Sequence, residues 1–280
     1  MTSTGSSPID EAARAIAAAE AILVSAGAGM GVDSGLPDFR GDEGFWKAYP
    51  PYRKLGLAFE DLANPRWFVD DPARAWGFYG HRLGLYRKTV PHDGFRVLRA
   101  LPQPKFVFTS NVDGQFQRAG FLPEQVLEVH GAIETMQCLA QCGAALWSAG
   151  APSPPSGVDV VIDEDTMRAR DPLPRCPSCG GLARPNILMF GDGGWDDARS
   201  NAQSARLQEW LDTHSGALVV IECGAGGAIP TVRRFGEMLV KKRSAVLIRI
   251  NVREPEGASI SLAGPAKATL LAIEAALLRR

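Results

Sequence analysis

Ser25-Ala26-Gly27-Ala28-Gly29-Met30-Gly31-Val32-Asp33-Ser34-Gly35-Leu36-Pro37-Asp38-Phe39-Arg40-Gly41 decides how this chain is read. Just before it runs Ala21-Ile22-Leu23-Val24, a short apolar run of the kind that forms a buried parallel strand. The strand empties into glycines at alternate positions, Gly27, Gly29 and Gly31. Glycine lets backbone approach a ligand closely, and successive free N–H groups in such a turn can cradle a diphosphate. A dinucleotide-type loop is therefore expected here, although the spacing is Gly-x-Gly-x-Gly and not Gly-x-Gly-x-x-Gly. Pro37-Asp38-Phe39-Arg40 adds an acid, an aromatic and a guanidinium where they would close over a bound cofactor.

Outward from this stretch, strands and helices alternate. Glu11 through Glu20 is alanine-rich and helix-favouring after Pro8-Ile9-Asp10. Strands are expected at 105–109, at 125–129 ending on His130, at 217–221 and at 245–250, and an amphipathic helix from Lys267 to Arg280. The pattern predicts an α/β fold, a doubly wound parallel, Rossmann-like sheet with helices on both faces. Two segments interrupt it. Residues 42–88 are dense in aromatics and broken by prolines, which reads as a helical insertion; 132–185 carries cysteines, prolines and glycines, a second insertion. Together these form a small second module, and 1–41, 89–131 and 186–280 form a discontinuous nucleotide-binding domain.

The totals exclude some classes of function. The chain has 280 residues, 45% hydrophobic and 22% charged, with net charge −1, so no strong field points to nucleic acid or an anionic membrane. No apolar run reaches the ~18 residues of a membrane span, and the opening residues lack the pattern of a secretory signal. Four of the five cysteines lie in close pairs, which suits metal binding in a reducing cytoplasm better than disulfides.

Cys138-x-x-x-Cys142 and Cys176-x-x-Cys179 are separated by 33 residues, and each pair lies beside glycine, which permits knuckle turns. This layout predicts one tetrahedral Zn²⁺ per chain, structural because all four positions are filled by protein. Cys223, at a strand end, reads as a packing residue. Asn111-Val112-Asp113-Gly114 follows a strand directly, where ligands bind in open α/β sheets. A turn capping a helix that begins near Gln115 explains the same residues.

These motifs resemble those of the sirtuins, NAD-dependent protein deacylases, in the form of a divergent bacterial-type member. The family's first motif runs Gly-Ala-Gly to Gly-Ile-Pro-Asp-Phe-Arg, and its second corresponds to Thr109–Gly120. His130-Gly131 stands eight residues before Cys138, as the catalytic histidine does in the family. The resemblance implies that His130 is the general base and that Asn111 orders the nicotinamide-ribose pocket. It assigns Gly27, Ala28, Gly29, Asp38, Phe39, Arg40, Asn111, Asp113, Gly224, Asn251 and Ala266 to NAD, a consumed co-substrate. The acyl oxygen would displace nicotinamide at C1′ of the ribose, giving free lysine and O-acyl-ADP-ribose. Arg184–Asp192 would pair with an acyl-lysine peptide or protein. NAD glycohydrolysis and mono-ADP-ribosyl transfer remain alternatives on the same fold.

Some residues depart from the family pattern. Its Gly-Thr-Ser is here Gly224-Ala225-Gly226, so backbone N–H groups of 222–227 are expected to replace the lost hydroxyls. Asp192 stands where glutamate is usual. Downstream of it 193–197 replaces Leu-Pro, and from that change a narrower or differently charged peptide groove is expected. Tyr79 and Arg82 share a helix face and resemble the Tyr-x-x-Arg pair of sirtuins selective for succinyl- and malonyl-lysine. Against that, Val32 is bulkier than the alanine of those enzymes and is expected to narrow the acyl pocket.

Overall fold

A computed structural model describes residues 7–37, 45–47, 49–150 and 157–280. Asp38, Phe39 and Arg40 lie outside the described residues. In chain order the strands are β1 (Ala21–Ala26), β2 (Lys105–Thr109), β3 (Val126–Glu128), β4 (Gly131–Cys138), β5 (Trp147–Ser148), β6 (Ile162–Asp163), β7 (Arg168–Ala169), β8 (Ala183–Ile187), β9 (Leu218–Cys223), β10 (Val246–Asn251) and β11 (Ile260–Ala263). The main helices are α1 (Pro8–Ala18), α2 (Gly29–Val32), α3 (Pro72–Lys88), α4 (Asp93–Ala100), α5 (Ala198–Thr213), α6 (Thr231–Arg243) and α7 (Ala266–Leu278).

Six strands form one parallel sheet in the order β11-β10-β9-β1-β2-β3. Its central strands are buried on both faces, which is why they read as unbroken apolar runs. One apolar layer packs α1, α4 and α7 on the sheet; another packs α5 and α6 on the opposite face. The chain leaves β1 toward β2 on one side and later returns to β9 on the other. The carboxyl ends of β1 and β9 therefore flank the crevice where ligands bind in such sheets.

The glycine loop serves this junction differently from the expectation. The Gly27 N–H donates to the Cys223 carbonyl and the Gly29 N–H to the Gly224 carbonyl, both at 3.0 Å, so neither is free for phosphate. A Cβ on Gly27 would stand 2.7 Å from Ala225 Cα, and one on Gly29 would stand 2.8 Å from Gly224 Cα. The glycines allow two strand-end loops to touch. Gly31 falls within the single turn α2, and Asp33 beyond it accepts from the Lys267 N–H at 2.7 Å, capping α7.

The two insertions share one core. Phe45, Tyr49, Tyr52, Phe68, Trp76, Phe78 and Tyr79 pack with Ile133, Met136, Met167 and Ile187. Burying each such ring stabilises by roughly 1.5–3 kcal/mol. Asp71 caps α3 through the Arg74 N–H and pairs with Arg168 at 2.7 Å, so the helical insertion is tied to β7. Tyr52 donates to the Met167 carbonyl, and Trp76 to the Ala183 carbonyl. Among the described residues no helix is long and apolar enough to cross a membrane.

Candidate functional site

A cavity of about 370 Å³ opens at the β1–β9 junction and runs under the second module. Gly27 and Ala28 line it from β1, Asn111 and Asp113 from the end of β2, and His130 from the turn after β3. Ala225, Gly226, Ala228 and Ile229 face them across the opening; Tyr79, Arg82 and Tyr86 close the far end. Gly29, Gly224, Asn251 and Ala266 are not among the lining residues. Asn251 stands behind the wall: its Nδ2 donates to the Ala225 carbonyl at 2.7 Å, and its Oδ1 accepts from the Arg253 and Glu254 N–H groups. Val32 is exposed and does not line the cavity, so it narrows no pocket there.

Asn111 is held by its neighbours. Its N–H donates to Thr109 Oγ1 and its Nδ2 donates to the Gly27 carbonyl, each at 3.0 Å, so the amide bridges β2 to the glycine loop. Asp113 caps the turn at Gln115, whose N–H it accepts at 2.9 Å, and it also faces the cavity. One carboxylate thus both caps the turn and lines the cavity. Burial pushes its pKa up to about 6, with Glu128 adding to the rise and Arg82 opposing it. Burial lowers the pKa of His130, against a backbone hydrogen bond at Ser110, so its imidazole is neutral at pH 7 and able to take a proton.

Arg82 is buried, and its guanidinium lies over the rings of Phe78 (5.2 Å), Tyr86 (5.4 Å), Tyr79 (5.7 Å) and Phe59 (5.9 Å). Its Nε and Nη2 both donate to Tyr86 Oη, at 3.0 and 2.8 Å. Tyr79 Oη is buried and has no hydrogen-bond partner among the described residues. Tyr86, one of the aromatics of the helical insertion, stands four residues from Arg82 and so on the same helix face.

The altered loops also differ from expectation. The Gly224 N–H goes to the Ile250 carbonyl and the Gly227 N–H to Glu254 Oε2 at 2.9 Å, so these two are not left for ribose or phosphate. Arg233 completes a strap, pairing with Glu254 at 3.1 Å and donating to the Ala225 carbonyl. Asp192 adds no charge to the groove. Its carboxylate is fully buried against Arg184, with Nη1 to Oδ1 at 3.0 Å, and it accepts from the Met189 and Gly194 N–H groups. On this anchor Leu188 and Phe190 donate their N–H groups to the His130 and Ala63 carbonyls and present their side chains to the opening.

The four paired cysteines come together. Their sulfurs lie within 4.8 Å of one another, with Cys138 to Cys179 at 3.6 Å and Cys142 to Cys176 at 3.7 Å. A tetrahedral zinc with bonds of about 2.3 Å sets its sulfurs about 3.8 Å apart, so this donor set fits Zn²⁺. Gly143 and Gly180, at φ +86 and +71, make the knuckle turns. Cys223 is buried in the sheet, away from this cluster.

Fold and site together define a parallel α/β protein with a dinucleotide-type crevice and a four-cysteine module. Residues 27–221 match the Sir2 family, and the chain belongs to it. It is 30% identical over 244 residues to NAD-dependent protein deacylase 1 of Archaeoglobus fulgidus, covering 86% of this chain and 85% of that one. An NAD-dependent protein deacylase of Aquifex aeolicus is 30% identical over 236 residues, covering 83% and 84%. A Sir2 homologue solved as a complex with NAD superposes with a TM-score of 0.72 at 26% identity, covering 96% of this chain and 94% of that one.

Proposed function

We propose that this protein is an NAD-dependent protein lysine deacylase. One observation carries the reading: a single cavity joins the glycine loop, Asn111, Asp113 and His130 to a chamber floored by Tyr79 and Arg82. NAD fits the polar groups there, since the Asp113 carboxylate and the Asn111 amide line one crevice with Ser110 and His130. When bound, NAD supplies an electrophilic ribose C1′, and the reaction takes up water and yields lysine, nicotinamide and O-acyl-ADP-ribose. The resemblance gives Gly27 and Ala28 to the dinucleotide, Asn111 to the nicotinamide-ribose pocket and Asp113 to the nicotinamide carboxamide. His130, neutral and lining the same cavity, accepts a ribose hydroxyl proton. Gly29, Gly224 and Asn251 act one layer back, shaping the loops that contact the dinucleotide. Leu188–Phe190 forms the edge on which an acyl-lysine protein or peptide segment lies, and the acyl group enters the chamber of Tyr79 and Arg82. The four cysteines hold one structural zinc.

Incubation with NAD and acetyl- or succinyl-lysine peptides, followed by mass spectrometry, tests this. O-acyl-ADP-ribose in step with nicotinamide is the expected result. Nicotinamide release without it assigns glycohydrolysis, and no release refutes the reading. His130→Ala is expected to lose about two to four decades of turnover, the usual worth of a general base.

A further inference from the structure

Segment 27–37 meets the cavity at its two ends: Gly27, Ala28, Leu36 and Pro37 line it, and no residue between them does. The middle of the segment, the single turn α2 and the residues after it, is fastened from behind, and two of the fastenings are made by His92. The His92 N–H donates to Ser34 Oγ at 3.0 Å, and the ring Nε2 stands 2.9 Å from the Met30 carbonyl oxygen. Nδ1 stands 3.0 Å from the Gly94 nitrogen, in the first turn of α4. These partners fix the tautomer. A carbonyl only accepts and an N–H only donates, so Nε2 carries the proton and Nδ1 the lone pair. A proton on Nδ1 would set one N–H against another, so the imidazolium cannot keep both contacts. His92 is 7% exposed, packs on Phe95 with ring centroids 4.9 Å apart, and does not line the cavity. Charged groups face it from three elements: Asp33 beyond α2, Asp93 on α4 and Lys267 on α7. Asp33 accepts the Lys267 N–H, and Asp93 lies 3.8 Å from Lys267 Nζ. Burial holds the imidazole below its usual 6.5; the Met30 carbonyl, Asp33 and Asp93 oppose that shift, and Lys267 adds to it.

We propose that His92 is the positioning residue of the glycine loop: as the neutral imidazole it ties α2 to α4 and so holds segment 27–37 at the cofactor wall, and in acid it releases that tie. The inference rests on the deacylase reading in naming NAD as the ligand of this wall, and it deepens that reading. The fold keeps the ring neutral, whereas the unfolded chain takes up a proton near 6.5. The tie is therefore complete above that value and is lost as pH falls through the lower value of the folded ring. A shift of α2 reaches the lining residues directly, because the Met30 N–H donates to the Gly27 carbonyl and the Gly31 N–H to the Ala28 carbonyl. No covalent step is added.

His92→Gln and His92→Asn separate the two ring contacts. Glutamine sets an amide N–H where Nε2 stands and keeps the tie to Met30; asparagine sets an oxygen where Nδ1 stands and keeps the cap on Gly94. Neither titrates. Dissociation constants for NAD are measured by titration calorimetry at pH 8 and pH 5, and ring ¹⁵N spectra of wild type are recorded over the same range. Wild type should show the Nε2–H tautomer at pH 8. His92→Asn should then bind NAD about two- to tenfold more weakly, the worth of one hydrogen bond, while His92→Gln binds as wild type does. Between pH 8 and pH 5 wild type should lose about two- to tenfold more affinity than His92→Gln. His130 and Asp113 titrate in both proteins and cancel in that comparison. Equal pH dependence in wild type and His92→Gln overturns the proposal, and so does an Nδ1–H tautomer or wild-type affinity in His92→Asn. Equal loss in both variants at pH 8 makes His92 merely structural and overturns it as well. In all these cases the deacylase reading survives. If wild type binds no NAD, that reading falls, and hydrogen exchange decides the proposal separately: amides of 30–36 with the same protection factors at pH 5 and pH 8 overturn it.

Discussion

Asp113→Asn is expected to stabilise the protein while impairing it. The carboxyl is buried at the cavity wall, and its pKa rises from the ordinary 3.8 to about 6. A carboxylate whose pKa is raised in the fold favours the protonated form there. Its stabilising effect is complete below pH ~4 and is lost as pH climbs through about 6. At pH 8 the distance between 3.8 and about 6 amounts to about 3 kcal/mol against folding, at ~1.4 kcal/mol per pH unit. Asparagine cannot ionise, and its Oδ1 still accepts the Gln115 N–H that Asp113 now accepts at 2.9 Å. The variant should therefore gain up to about 3 kcal/mol at pH 8, roughly 6–12 °C in Tm for a chain of this size, and almost nothing at pH 4. Thermal melts of both proteins at pH 4, 6 and 8 measure this, and the KM for NAD should rise in parallel. A Tm difference independent of pH, or a variant less stable at pH 8, would refute the reasoning.

Three further outcomes follow from the site. Asp192→Ala strands Arg184, which is 2% exposed, as an unpaired buried charge; such losses cost about 3–5 kcal/mol, and differential scanning calorimetry should show a large fall in Tm. Cys176→Ala breaks the four-thiol set, so the protein should lose its one zinc by elemental analysis and aggregate; soluble, active, zinc-free protein would contradict the assignment. His130 is depressed below 6.5, so the neutral base persists as pH falls past that value, and the acid limb of kcat/KM should lie lower, with the same limb retained in Asp113→Asn.

The parts of this molecule legible in the sequence were those carried by local pattern. β1, β2, β9 and β10 read as apolar runs because a buried parallel strand has no solvent face. β11 was not read, because it is a four-residue edge strand alternating buried and exposed. The cysteine pairs were legible because knuckle spacing is short and stereotyped, and their convergence needed only the pairing of β4 with β8 within one insertion. Glu254 was hidden for the opposite reason. Its carboxylate meets the Gly227 N–H only because the loops after β9 and β10 lie side by side. Asp192 stood in a legible segment, but its burial against Arg184 was not legible, since no pattern tells a groove carboxylate from one buried beneath it.

The helix α3 shows how far pattern goes and what must be added to it. Apolar and aromatic residues occur all round it, so periodicity alone does not say which face meets the cavity. Glycine settles the matter. A Cβ on Gly77 would stand 2.0 Å from the Met167 carbonyl oxygen, and one on Gly80 would stand 2.9 Å from Val160. Gly77 presses α3 onto the backbone at Met167–Arg168, and Gly80 onto the side chains of Val160 and Ile162. At about 100° per residue, Tyr79, Arg82 and Tyr86 lie about 140–200° around the helix from Gly77, so contact on the glycine side turns the Tyr-Arg-Tyr stripe toward the cavity. The docking of the cysteine-bearing insertion on one side of α3 thus fixes the Tyr79–Arg82–Tyr86 lining of the cavity on the other.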